Sequence, residues 1–134
     1  MEGCLARRVA PLSRMLYAVL VFGLASHFAA AQAPQPIEEI MKSMLAATQD
    51  NSLSDFVAAG DAAFQAGMTK PMLDSINRQL GPRLKQGYTA SFLGMLSQQG
   101  YTVYLWKLEL KDGKDDVLVT MAVRDGKVGG FWLR

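Results

Sequence analysis

Hydrophobic positions change rhythm near the middle of the chain. Before Gly87 they recur at helical spacing; beyond it they alternate or run together, as strand residues do. In residues 101–134, three runs rich in Val, Leu, Tyr and Trp are separated by Asp112-Gly113 and Asp125-Gly126. Asp-Gly between β-prone runs signals a hairpin, because a two-residue loop matching the strand twist needs φ > 0 at both central residues. An antiparallel meander is predicted, tight at Asp125-Gly126 and looser at residues 111–116. Asp112, Lys114, Asp115 and Asp116 are expected to keep that looser loop wet. Asp115 and Asp116 make a poor carboxylate pair, since neighbouring strand residues point to opposite faces.

Alternation sorts the faces of the sheet. Tyr104, Trp106, Leu108 and Leu110 share one face, while Lys107 and Glu109 share the other with Val103 and Leu105. Residues 117–123 are apolar at nearly every position, the pattern of a strand covered on both sides. Helices can cover only one face of a small antiparallel sheet. The other face is therefore expected to take a second cover, such as another copy of the chain.

Upstream, Ile37, Ile40, Met41, Met44 and Leu45 form one apolar stripe of a helix that follows Pro36, with Glu38 and Glu39 in its first turn. Ser52 is placed as the N-cap of a second helix lined by Leu53, Phe56, Val57, Ala63 and Phe64 and ending at Gly67. Gly60 within it lets another backbone approach, and Asp61 is expected to be solvated rather than aimed into a pocket. Thr69-Lys70-Pro71 opens a third helix with Met72, Leu73, Ile76 and Leu80 inward. Gly81-Pro82 ends or kinks it, residues 83–86 add one turn, and Arg78, Arg83 and Lys85 make a solvated face. Tyr88, Ala90 and Phe92 alternate with Thr89, Ser91 and Leu93, predicting a fourth strand with a bulge at Gly94 and a hairpin at residues 98–100. The class is α+β: N-terminal helices packed on a curved four-stranded antiparallel sheet formed by the C-terminal half.

The first residues read as an address. Arg7, Arg8 and Arg14 precede an apolar run over residues 15–25 and a small-residue tract in which Ala29 and Ala31 satisfy the A-x-A rule. Residues 1–31 are thus a secretory signal peptide cleaved after Ala31, residues 32–36 a linker, and residues 37–134 one α+β domain. The alternative, an uncleaved anchor, is weakened by Ser26 and His27 inside the run. Cys4 does not sit at the end of the run, where a lipid-attachment cysteine would be. The membrane is expected to be met only through this segment, before cleavage, and the product to reach the periplasm or the cell exterior.

Cleavage changes the composition. The chain has 14 Lys+Arg and 12 Asp+Glu, and losing Arg7, Arg8, Arg14 and Glu2 leaves 11 of each. A neutral product gives no support for nucleic-acid binding. Cys4 and His27, the single cysteine and the single histidine, leave with the same segment. Within one processed chain there is then no disulfide, thiolate nucleophile, Cys or His zinc site, or imidazole catalysis. Neither metal nor cofactor is expected. The remaining residues, roughly 100, suffice for one core.

Residues 125–131, Asp-Gly-Lys-Val-Gly-Gly-Phe, and the strand at residues 104–110 resemble the nuclear-transport-factor-two-like superfamily, the cone fold shared with ketosteroid isomerases and polyketide cyclases. The resemblance implies a curved sheet wrapping helices, a conical cavity for a small apolar molecule, and a homodimer through the sheet face. It transfers no mechanism: Asp61, Tyr88 and Tyr104 do not match the isomerase positions. The expectation is a non-catalytic binding or assembly module for an apolar small ligand or a protein partner, with Tyr88, Tyr104, Trp106 and Trp132 lining the pocket or the core. The alternative is a small isomerase- or dehydratase-type enzyme with a carboxylate base and a tyrosine donor.

Overall fold

The computed structural model describes residues 31–134. The signal-peptide reading of residues 1–31 lies outside the described residues, Ala31 excepted. Four helices come first: α1 (Gln35–Asp50), α2 (Leu53–Val57), α3 (Ala62–Gly67) and α4 (Lys70–Lys85). Four strands follow: β1 (Tyr88–Gln98), β2 (Tyr101–Leu110), β3 (Val117–Arg124) and β4 (Lys127–Leu133). The strands pair antiparallel in sequence order, β1-β2-β3-β4, and the protein is α+β with its helices against a C-terminal four-stranded sheet.

Turn chemistry sets the register. Gln99 and Gly100 have φ of 52° and 80°, and Asp125 and Gly126 have φ of 52° and 74°. Both tight loops thus take the left-handed conformation at each central residue that the strand twist demands. In β1 the pairing passes from Phe92 opposite Trp106 to Gly94 opposite Leu105, so Leu93 is the extra residue of a bulge. On one face this register lines up Phe92, Trp106, Val119 and Leu133, and that face carries the core.

Against it lie the helices. Met41, Met44, Leu45, Phe56, Leu73, Trp106, Leu108, Val119, Met121 and Val128 are fully buried. Helix α1 begins at Gln35, so the expected linker is two residues shorter; Pro36 fits the first turn because its missing N–H needs no partner there. At the other end of α1, Asn77 Nδ2 on α4 donates to the carbonyls of Thr48 (2.7 Å) and Gln49 (3.2 Å), satisfying acceptors that a helix end leaves open.

Three expectations are corrected. The single helix expected from Ser52 to Gly67 is two, because Gly60 joins the sheet: Val128 N donates to Ala59 O and Asp61 N donates to Val128 O, both at 2.8 Å. Backbone groups used in that bridge are lost to the helix. Ser52 does cap α2, and Asp61 caps α3 by accepting from Phe64 N at 2.8 Å. Second, α4 continues through Gly81-Pro82, held at both ends by the buried Leu73 and Leu84, while Met72 faces outward.

Third, the loop between β2 and β3 is not wholly wet. Arg83 Nε donates to Asp112 Oδ2 at 2.6 Å and its Nη2 donates to Asp115 O at 2.8 Å, with the Asp112 side chain only 5% exposed. The Arg83 hydrogen bond, then the Lys114 N–H, hold the Asp112 carboxyl below its ordinary pKa. The same bond raises that of Arg83. This pair joins residues 29 positions apart, which local pattern does not register.

Candidate functional site

The four aromatic residues singled out in the sequence divide between the two faces of the sheet. Tyr88, Tyr104 and Trp106 share the helix-covered face with Phe92, since they lie on β1 and β2 at positions whose side chains point the same way. Trp106 is 0% exposed, with ring centroids 5.6 Å from Phe92 and 6.1 Å from Tyr104. These rings fill the space between sheet and helices. Trp132 sits opposite Thr120 on the other face and is 46% exposed. It therefore joins no site with the other three.

A burial this deep requires a partner for the indole N–H. Trp106 Nε1 donates to Glu38 Oε2 at 2.8 Å, across 68 positions of sequence, and Glu38 Oε1 faces Lys42 Nζ at 3.5 Å. One oxygen is thus turned inward and the other toward water. Tyr88 lies near enough to feel the charge: burial first, and the Glu38 carboxylate second, push its phenol above the ordinary tyrosine pKa. Outside this cluster an open groove of about 650 Å³ runs between the start of α1 and β1, lined by residues 31–33, Glu38, Glu39, Lys42 and residues 90–92.

Glu38 is the residue that sequence reasoning missed as a site member. Its signal was present, because it stands seven residues before Leu45 and three before Met41, and so continues the buried stripe one turn toward the helix start. Chemically, the arrangement is a carboxylate engaged on both oxygens beside a neutral phenol. The same carboxylate lines the open groove beside the start of α1, together with its Lys42 partner. Among the described residues no group of three or more His, Cys, Asp or Glu side chains converges to hold a metal.

The face away from the helices has a different character. Leu96, Val103 and Ala122 form one row across it; Leu105, Thr120 and Trp132 form the next. Trp132 lies on the strand over Gly130, where a Cβ would stand 2.2 Å from the indole ring and force it to shift. Tyr101 covers Gly129 in the same way, and the Arg124 guanidinium sits 4.3 Å from the centre of the Tyr101 ring. Between Tyr101 and Trp132 lies a groove of about 360 Å³ floored by Val103, Thr120 and Ala122.

No protein-family model matches the chain, and comparison with curated proteins finds no match. Two solved structures are similar in part. One is an uncharacterized cystatin-fold protein from Novosphingobium aromaticivorans, at 13% identity and a TM-score of 0.36 over 72% of this chain and 95% of that one. Another is TerC, co-crystallized with polyporic acid, at 13% identity and a TM-score of 0.41 over 74% of this chain and 90% of that one. At such scores neither overlay establishes kinship or transfers a function.

Proposed function

We propose that this protein is an exported, non-catalytic assembly module of the nuclear-transport-factor-two-like type, which binds a protein partner through the uncovered part of its sheet. The observation that carries the reading is the contrast between a filled interior and a bare apolar exterior. Trp106, Phe92 and Tyr104 occupy the space a small apolar ligand would take, while Trp132, Leu93, Met95 and Leu96 remain exposed. Large apolar side chains left exposed along β1 and on the bare face of β4 favour a protein partner. A second copy of the chain is the first partner to test. Export is supported by the layout of residues 1–31.

The test has two parts. Protein recovered outside the cytoplasm is expected to begin at Gln32; an intact Met1 would end the export reading. Light scattering over a wide concentration range is expected to give a mass that rises from one chain toward two. Turnover of a carbonyl substrate by isomerisation or dehydration, abolished by Glu38→Gln, would overturn the non-catalytic reading in favour of the enzyme.

A further inference from the structure

We infer that the free edge of β1 is the seam through which two copies join, pairing antiparallel about a two-fold axis to make one continuous eight-stranded sheet. The inference rests on the assembly reading above and names its partner and contact surface.

The two edges of the sheet are finished differently. On β4, Val128 spends its outward N–H and C=O on Ala59 and Asp61, and Lys127 and Arg134 flank the strand. On β1, no backbone hydrogen bond among the described residues comes from anything but β2. Exposed edges are ordinarily blunted by lysine, proline, shortness or bulges. β1 runs for 11 residues, YTASFLGMLSQ, with no charge and no proline, and its bulge at Leu93 and Gly94 is the one such device it has.

Its outer half is also apolar on both sides. Met95 lies opposite Tyr104 and points to the helix side, Leu96 lies opposite Val103 and points to the bare side, and Leu93 is the unpaired residue of the bulge. They are 65%, 45% and 58% exposed. A partner docked on the bare face would leave Met95 uncovered. A strand that extends the sheet covers both sides at once and satisfies the open backbone groups.

Charge identifies that strand as another β1. In an isologous contact each residue meets its own counterpart or exchanges partners with it, so any charged residue near the axis would face its like. A segment with no charge pairs with itself at no such cost. Six residues of edge bury less than the roughly 1,200–2,000 Å² of a standard interface, which places the contact among the weak, reversible ones.

Light scattering and hydrogen exchange on the exported protein test this. The mass is expected to double with concentration as amides within residues 93–98 gain protection. The double variant Met95→Lys/Leu96→Lys, at exposed positions, is expected to weaken dimerisation at least tenfold with an unchanged thermal melt. Trp132→Glu, on the bare face, is expected to leave it intact. Dimers lost in Trp132→Glu and kept in the double variant would overturn the edge seam while leaving the assembly reading standing. A single-chain mass at every concentration would overturn the seam and the choice of partner together.

Discussion

Strand β3 presents two faces of nearly equal apolarity, yet they meet different fates. On one side Val117, Val119, Met121 and Val123 are buried under the helices; on the other, Leu118 and Thr120 are only partly covered and Ala122 is shielded mainly by its own sheet. A patterning argument treats the two alike. What separates them is the supply of covering elements: residues of α1, α2 and α4 join the core on one side, while α3 lies against the edge strand β4. The first face holds the fold together, and the second contributes little to it. Substitutions on the two should therefore differ sharply in what they cost the fold.

The largest stability effect is expected at the centre of the covered face. Trp106→Ala removes a fully buried ring and leaves Glu38 without its indole partner, costing about 3–5 kcal/mol in a urea titration. A loss below about 1 kcal/mol would break the distinction between the faces. Glu38→Ala comes next. Stranding the indole N–H is expected to cost about 1–3 kcal/mol by the same titration. Glu38→Gln sharpens this: with the charge gone, the Tyr88 phenol should titrate at lower pH, read by ultraviolet difference spectroscopy. The shift is partial, because burial is the larger cause.

A third measurement concerns acid stability. The folded-state pKa of Asp112 is depressed, so the unfolded chain binds more protons in acid. The stabilisation this gives is present above the unfolded value of about 3.9 and is lost as pH falls through the folded value. Asp112→Asn should flatten the acid limb of the stability curve; an unchanged limb would show that the Arg83 pair contributes nothing to acid stability. The smallest effect is expected on the bare face. Trp132→Ala should cost about 1 kcal/mol or less in the monomer, because nearly half of the ring already faces water. A cost like that of Trp106→Ala would erase the comparison.

The elements legible in the sequence were those fixed by near neighbours. Asp125-Gly126 set the last hairpin, Gly94 marked the bulge, and the i, i+3, i+4 recurrence from Ile37 to Leu45 placed α1 with its buried face. What escaped required partners far along the chain. Gly60 breaks a helix because Val128 is there to receive its neighbours' backbone groups. Arg83 and Asp112 read as solvated because each is charged and lies in a polar stretch, and only the fold brings them together. The aromatic set divided the same way. Tyr88, Tyr104 and Trp106 share a parity that alternation can follow, whereas placing Trp132 required the β3-β4 register and its shift after Ala122.

The bond from Trp106 back to Glu38 carries a consequence for how the chain is made. Its helices leave the ribosome first, but the surface they pack on is synthesised last. Since helices in proteins owe most of their stability to packing of an apolar face, the nascent chain should stay open until the closing strands emerge. A chain stalled before Tyr101 is expected to be cut readily by protease, and the released protein to resist. Such late closure would leave the polypeptide unfolded until its synthesis is nearly complete.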